Sequence, residues 1–363
     1  MKFSKNRRYS AVAIAAFVVL LFAAQFLFDA FTKRVFNLCA VYIVLALSLN
    51  LVNGFTGLFS LGHAGFMAVG AYTCALLTMS PAKKAMNYFL SPIVPWLADI
   101  QLPFVLALLA AGLVAALFGF LIGAPVLRLR DDYLAIATLG FAEIIRVVIT
   151  NLQGVTNGAQ GLKGLPEYST TFVVWGVAAV SVLFMVFLMR SSYGRALKAI
   201  RDDEIAAEAM GLSVFRLKVA SFTTSSFMAG VGGALLGHMI TTIDPKMFTF
   251  MLTFNILLIV VLGGTGSISG SVIAAVAVTF LMEILRFLDG PMNLVVFKTD
   301  GLPGLRMVVF SVLLMIVVIF RQRGLMGNKE FSWDMLSVAG LLPKRKGAAP
   351  KSGGEAGKGG DHA

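Results

Sequence analysis

The chain has 363 residues, of which 58% are hydrophobic and only 13% are charged, and its mean hydropathy is +0.87. About a quarter of the residues of a soluble domain are charged, so this composition excludes a large soluble fold and predicts a polytopic membrane protein. The formal net charge of +12 does not indicate nucleic-acid binding, because most Lys and Arg residues lie at the chain ends and in loops between apolar segments.

Ten apolar segments could cross a bilayer, for which a helix needs about 20 apolar residues. In chain order they are 11–28, 35–53, 61–80, 102–127, 133–152, 171–190, 216–240, 247–262, 269–288 and 304–321. The predicted fold class is therefore all-α: a polytopic transmembrane helical bundle of about ten spans. Some spans are expected to be broken or re-entrant, because glycines and polar residues interrupt the apolar runs.

The distribution of basic residues predicts the orientation of these spans. With ten spans and the N-terminus inside, 20 of the 30 Lys and Arg residues fall on the inner side. Basic residues are retained on the cytoplasmic side, so both termini are predicted to be cytoplasmic in a multi-pass plasma-membrane protein. Lys33 and Arg34 fall on the outer side of the membrane in this topology and do not follow the distribution of the other basic residues. The first segment is expected to be a retained span, because it is long for a signal peptide and no A-x-A site follows.

The segment 54–66, GFTGLFSLGHAGF, places four glycines between two strongly apolar runs. Irregular backbone at membrane depth is tolerated only where it is buried in protein or lines a watery cavity, and broken helices mark binding sites in transporters. The candidate residues of a translocation path are therefore Asn50, Asn53, Ser60 and His63. Two roles of His63 stay open: its side chain could form a hydrogen bond that stabilises the turn, or it could line or gate the path.

Two acid–base pairs lie within predicted spans, each with a spacing of three residues: Glu143 with Arg146, and Glu283 with Arg286. Residues three apart share a helix face, so each pair is expected to form an intramembrane ion pair. One interpretation is structural, because paired charges stabilise bundle interiors. The other is functional, as a proton relay or a charge that binds substrate.

The loop at 191–216 is the most highly charged internal loop, and it falls on the predicted cytoplasmic side. The segment 202–211 within it predicts a helix of two to three turns, with Asp202 as the N-cap and Gly211 as the stop. This helix could lie on lipid headgroups, since basic juxtamembrane segments bind anionic lipid. It could also dock in a groove of a cytoplasmic partner, because its small residues would fit such a groove.

The sequence lacks the usual signatures of an enzyme. It contains no P-loop, no zinc-protease motif and no nucleophile elbow, and the glycines at 260–271 do not follow the dinucleotide-binding pattern. Cys39 and Cys74 lie in apolar spans without a metal-binding spacing, so no metal site is expected. Residues 329–363 are rich in Gly, Lys and Ala and are predicted to form a disordered cytoplasmic tail.

Several motifs resemble one family of membrane permeases. The stretch GRALKAIRDDEIAAEAMGLS at 194–213 is similar to the EAA loop, the coupling helix of ATP-binding-cassette importer permeases. The stretches at 45–77 and 127–146, with the glycine-rich loop at 154–166, resemble signatures of branched-chain amino-acid permeases of the LivM type. The motifs follow in family order from about 37 to 323.

This resemblance implies a permease subunit that moves Leu, Ile or Val by alternating access. Two separate cytoplasmic ATPase subunits would bind the ATP, so the chain itself would hold no cofactor. A second permease of the LivH type, an extracytoplasmic substrate-binding protein and membrane lipid would complete the set of partners, without nucleic acid. Residues 1–328 would form the permease domain. The residues expected to couple it to the ATPase are Arg201, Asp202, Glu204, Ala207 and Gly211.

Two other functions stay open from the sequence. A permease of the same architecture could carry urea or another small amide or amino acid, since Asn50, Asn53 and Asn255 offer neutral polar groups on the spans. A proton-coupled secondary transporter would use the intramembrane carboxylates, but it would leave the helix at 202–211 without a role.

Overall fold

The computed structural model describes residues 17, 19, 21–89, 91–129, 131–289, 292–293, 298–299, 304–320, 324–327 and 330. The longer helices, with one short loop helix between them, are α1 (21–27), α2 (Ala30–Asn50), α3 (His63–Thr78), α4 (Phe104–Val126), α5 (Asp131–Asn151), α6 (Thr171–Arg190), α7 (Ser192–Asp202), α8 (Glu204–Ala209), α9 (Val214–Ile240), α10 (Phe250–Gly263), α11 (Ile268–Ile284) and α12 (Leu305–Phe320).

The remaining elements are short. Helices of seven residues or fewer are found at Pro81–Asn87, Pro95–Ala98, Gln153–Thr156, Gly158–Gln160, Pro245–Met247 and Leu285–Asp289. Strand Leu162–Lys163 pairs antiparallel with Thr242–Ile243, and Met292–Asn293 pairs with Lys298–Thr299. Two-residue strands cannot form a core, so the described fold is a helical bundle, as the sequence predicted.

Seven helices of the described residues are long and apolar enough to cross a membrane. They are Ala30–Phe55, Phe104–Val126, Tyr133–Asn151, Thr171–Arg190, Val214–Ile240, Pro245–Gly263 and Ile268–Leu288. Helix α3 is apolar but shorter, and α12 has 16 residues. The predicted first span, 11–28, is described at residues 17, 19 and 21–28, and α1 occupies 21–27 of it. The polytopic bundle is therefore confirmed, and the number ten remains approximate.

Helix α9 lies at the centre of the bundle and packs against α2, α3 and α4. Small residues allow the close approach of α3 and α9: a Cβ on Gly70 would overlap the backbone of Gly230, and one on Gly233 would overlap that of Met67. Helix association in membranes depends on such close packing, because lipid tails are as apolar as the helix surfaces. Helices α2, α3 and α9 thus form the core around which the more exposed spans are arranged.

The predicted interruption near 54–66 is present. Helix α2 runs into one π-helical turn, Leu51–Phe55, and the chain then has no regular structure until α3 begins at His63. We call residues 56–62 the irregular segment. Gly57 has a φ of +77°, which disfavours other residues, so glycine is needed where the helix ends. The irregular segment therefore interrupts the membrane helices beside the buried core.

The predicted helix at 202–211 is shorter than expected, and its N-cap is a different residue. Asp202 is the last residue of α7 and pairs with Arg201. Asp203 is extended, and its carboxylate accepts a hydrogen bond from the backbone N–H of Ala206 at 2.9 Å. The assignment of Asp202 as N-cap is wrong, because Asp202 is the last residue of α7, a helix not predicted from the sequence, and the cap position falls to Asp203.

The C-terminal end of α8 agrees with the sequence. Gly211 has a φ of +83°, and its N–H donates to the carbonyl of Glu208 at 2.9 Å. The N–H of Leu212 donates to the carbonyl of Ala207 at 3.2 Å. These two bonds form a Schellman motif, which needs a left-handed residue at this position. We call residues 203–212, which comprise α8 and its caps, the α8 segment.

Candidate functional site

Arg201 lies between the α8 segment and the interrupted membrane helix. Its Nε and Nη2 donate to Oδ1 of Asp202 at 3.1 and 2.9 Å, and its Nη1 donates to the carbonyl of Gly54 at 3.3 Å. The same side chain covers two glycines: a Cβ on Gly57 would lie 2.9 Å from its Cγ, and one on Gly266 would lie 2.7 Å from its Nη1. Arg201 thus contacts both glycine-containing turns from the end of α7.

Asn50 ties the end of α2 to the turn between α10 and α11. Its Nδ2 donates to the carbonyl of Ser267 at 3.0 Å and to Oγ of Ser271 at 2.8 Å. Its Oδ1 accepts from the N–H of Gly266 at 2.8 Å. Both amide N–H groups are thereby used inside the chain, and the side chain is fully buried. This geometry favours a structural role for Asn50.

The other candidate path residues surround the irregular segment. Asn53 and Ser60 form a reciprocal pair, in which the Nδ2 and Oδ1 of Asn53 bond the carbonyl and N–H of Ser60 at 3.3 and 3.2 Å. His63 begins α3 and is only 3% exposed. Its Nε2 is buried and makes no hydrogen bond to any described residue. The structure thus pairs Asn53 with Ser60 and buries His63 at the start of α3, and the contact of these residues with solute stays a prediction.

Two threonines that sequence reasoning did not select hold the irregular segment and the start of α3. Oγ1 of Thr138, on α5, accepts from the N–H of Leu61 at 3.1 Å. Oγ1 of Thr253, on α10, accepts from the N–H of Ala64 at 2.9 Å. The N–H of Ala64 lies in the first turn of α3 and has no partner within the helix, and the N–H of Leu61 lies in the irregular segment. Both hydroxyls therefore satisfy backbone groups that would otherwise be costly at membrane depth.

The apex of the α8 segment is exposed and apolar. Ile205 and Met210 are 82% and 84% exposed, and a Cβ on Gly211 would meet no atom within 4 Å. Glu204 lies beside this apex and pairs with Lys218 at 2.6 Å. Large exposed apolar side chains outside a membrane region are typical of a docking surface for another protein.

Ala207 faces the opposite way. It is 4% exposed and packs in a small cluster with Ile200 and Val214, which Leu212 covers. A cleft of about 630 Å³ separates the α8 segment from the irregular segment. Ala207 therefore holds α8 against α7 and α9, while Ile205 and Met210 are the side chains available to a partner. Neither Ile205 nor Met210 is among the coupling residues selected from the sequence.

A residue that follows the last helix also contacts the α10–α11 turn. The Glu330 carboxylate accepts hydrogen bonds from the N–H groups of Ile268 and Ser269 at 2.8 and 3.0 Å. Acidic groups stabilise helix N-termini because they complement the unpaired N–H groups there. The N–H of Leu325 donates to the carbonyl of Leu262 at 2.8 Å. Leu325 and Glu330, on either side of the predicted boundary at 328/329, thus both contact the bundle. Residues 331–363 lie outside the described residues.

Both predicted intramembrane ion pairs form. Arg146 and Glu143 approach to 2.7 Å, and Arg286 and Glu283 approach to 2.9 Å, each within one helix and its end. The guanidinium of Arg286 also lies over the ring of Phe31, 5.7 Å from its centroid. Each carboxylate therefore has a cationic partner three residues away, as the spacing predicted.

The described part of the chain contains no group of three or more His, Cys, Asp or Glu side chains arranged to hold a metal ion. Cys39 and Cys74 are buried and form no disulfide.

Comparison with known proteins identifies relatives over most of the chain. The sequence model of the family described as branched-chain amino acid transport system / permease component matches residues 31–318. The chain is 36% identical over 307 residues to the high-affinity branched-chain amino acid transport system permease protein LivM of Escherichia coli, covering 75% of this chain and 68% of that protein.

Two further relatives match over a larger share of their length. The chain is 26% identical over 321 residues to a probable branched-chain amino acid transport permease protein LivM of Methanocaldococcus jannaschii, covering 80% and 91% of the two chains. It is 25% identical over 332 residues to the permease protein LivH of Escherichia coli, covering 84% and 98%. No solved structure gives a significant match.

Proposed function

This chain belongs to the family of branched-chain amino-acid transport permeases, and we propose that it is the permease subunit of an ATP-driven importer of Leu, Ile or Val. It is a multi-pass membrane protein of a transport family, and the proposed activity is movement of solute rather than a chemical reaction. In this proposal ATP is hydrolysed by two cytoplasmic subunits, and the chain alternates between outward-open and inward-open forms.

The observation that carries this proposal is the connection of the α8 segment to the bundle. Its exposed apolar apex, Ile205 and Met210, offers a surface to a partner. Behind the apex, Arg201 contacts the turns at Gly54–Gly57 and Gly266. A partner that displaces the α8 segment together with the adjoining end of α7 would therefore displace these turns through Arg201, which is what a coupling element must do.

The family relationship supports the remaining partners of this proposal. Relatives bear the names LivM and LivH, which supports pairing of this chain with a second permease of the LivH type. An extracytoplasmic binding protein would deliver the amino acid, and the ATPase subunits would hold all of the nucleotide. The distribution of basic residues supports cytoplasmic termini and a cytoplasmic α8 segment.

The ion pairs do not call for a proton-driven mechanism, because each has a structural role within its own helix. Glu143 and Glu283 both accept hydrogen bonds from arginines three residues away. A proton-driven carrier would also leave the α8 segment without a role.

Co-purification of the complex tests the proposal. We expect an ATPase to purify with the native chain and to be lost from Met210→Asp, because an aspartate would place a charge in the centre of an apolar contact. Arg195→Asp is the matched control, since Arg195 is exposed on α7 and its side chain bonds Arg190 and Ser192 beside it. A native complex without any ATPase would contradict the proposed function.

A further inference from the structure

A cavity of about 210 Å³ lies between four helices, three of which belong to candidate membrane spans, and none of the path residues selected from the sequence lines it. It is formed by side chains of α2, α10, α11 and α12. They are Leu38, Tyr42, Asn255, Ile259, Val278, Thr279, Met282, Glu283 and Phe310. The cavity thus combines an aliphatic wall with an amide, two hydroxyls and a carboxylate, which is an unusual set for a lipid-facing surface.

Two of its polar groups lack partners. Neither the amide of Asn255 nor the hydroxyl of Tyr42 makes a hydrogen bond to any residue that the structure describes. Both residues lie in the middle parts of their helices, α10 and α2. An unsatisfied polar group in hydrocarbon costs several kcal/mol, so these two groups need water or a polar ligand.

The carboxylate of the cavity is oriented by its own helix. Oε1 of Glu283 accepts from Nη1 of Arg286 at 2.9 Å, and the Arg286 guanidinium is in turn placed over Phe31. No hydrogen bond to Oε2 is formed within the described residues, so this oxygen is available to a cation in the cavity. The Thr279 hydroxyl donates to the carbonyl of Ala275 at 2.7 Å and keeps its acceptor capacity.

The earlier path candidates offer less to a solute. Asn50 uses both amide N–H groups within the chain, and Asn53 is occupied by Ser60. A zwitterionic amino acid needs a negative group for its ammonium and donors for its carboxylate. Glu283, Asn255 and Tyr42 provide this set in one cavity, next to aliphatic side chains.

We propose that this cavity binds one aliphatic L-amino acid during its passage through the membrane. The ammonium group contacts Glu283, and the carboxylate accepts hydrogen bonds from Asn255 and Tyr42. The branched side chain packs against Ile259 and Val278. A charged side chain would find no partner on this wall, so the cavity would discriminate against basic and acidic amino acids. The choice of an aliphatic amino acid rests on the proposed function.

Binding and transport by the full complex, reconstituted in nanodiscs and in proteoliposomes, test this site. We expect saturable binding of radiolabelled L-leucine to the nanodisc complex without the binding protein. Asn255→Leu and Glu283→Gln each weaken this binding about tenfold or more, whereas L-lysine does not compete. Tyr42→Phe weakens it less, because one donor remains on Asn255. The matched control is Tyr72→Phe, which removes a buried hydroxyl outside the cavity.

The outcomes separate this site from the proposed function. A wild-type complex that transports no branched-chain amino acid would refute both. Normal leucine transport with unchanged binding in the three cavity variants would overturn the cavity alone. Loss of the second permease from those variants, with no leucine binding in the wild type, would also overturn it and identify the cavity as a contact between permeases.

Discussion

At the scale of single residues, Arg201 explains how a loop outside the membrane reaches the interrupted helices. Its guanidinium bonds the carbonyl of Gly54 and lies against Gly266, while its stem covers Gly57. Lys198, one turn earlier on α7, lies over the ring of Phe55 at 5.7 Å. A side chain larger than hydrogen at Gly57 or Gly266 would displace Arg201, so these two glycines and the arginine form one closely packed contact.

We predict that Arg201→Ala uncouples ATP hydrolysis from transport. The apex of Ile205 and Met210 is unchanged, so the ATPase should stay bound and hydrolyse ATP. The contact with the two turns is lost, and a coupling free energy of about 1–3 kcal/mol corresponds to about 5–150-fold in transport per ATP. The measurement is leucine uptake and phosphate release from the same proteoliposomes.

The control for this variant is Arg195→Ala, which removes a cation from the same helix without touching the turns. Arg201→Lys should recover part of the coupling, because a lysine keeps the charge but cannot bond two groups in a fixed fork. An unchanged ratio of uptake to hydrolysis in Arg201→Ala would show that force reaches the bundle by another route.

At the scale of elements, the caps decide where the α8 segment begins and ends. A short helix outside the membrane has little packing to stabilise it, so its termini contribute a large share of its stability. Asp203 caps the first turn, the Schellman motif at Gly211 closes the last, and Ala207 provides the one buried contact. The segment is therefore held rigid while its apex remains free to bind.

We predict that Asp203→Ala loosens α8 more than Asp202→Ala does. Loss of an N-cap costs about 1 kcal/mol, which should speed hydrogen exchange at residues 204–209 about fivefold. Asp202 only forms a surface pair with Arg201, and such pairs contribute little. Hydrogen-exchange mass spectrometry of the intact complex measures both. Equal protection in the two variants would argue against Asp203 as the cap.

These elements also show what the sequence could predict. Apolar length located the seven spans found among the described residues, and glycine spacing located the interruption near 54–66, because both signals are local. Gly211 was recognised as a helix stop for the same reason. The sequence did not reveal the contacts of Thr138 and Thr253 or the cavity at Asn255. These features depend on contacts between residues far apart in the chain. Asp202 was mistaken for the cap because two adjacent aspartates offer the same local signal.

At the scale of the whole molecule, three distant parts of the chain meet at the turn between α10 and α11. Asn50 bonds it from the end of α2, Arg201 contacts it from α7, and Glu330 caps α11 after the last helix. Because α2, α7 and Glu330 all contact this turn, a displacement of one of them is transmitted to the turn and through it to the others. Movement of the α8 segment would therefore reach α2 and α11, which line the proposed amino-acid cavity.

Uptake into proteoliposomes that hold the whole complex tests whether import of the amino acid is driven by ATP. Binding protein and labelled leucine are supplied outside, and ATP is either trapped inside or omitted. We expect leucine accumulation that requires internal ATP and that persists when a protonophore collapses the pH gradient. Accumulation without ATP that a proton gradient drives, and that the protonophore abolishes, would contradict it.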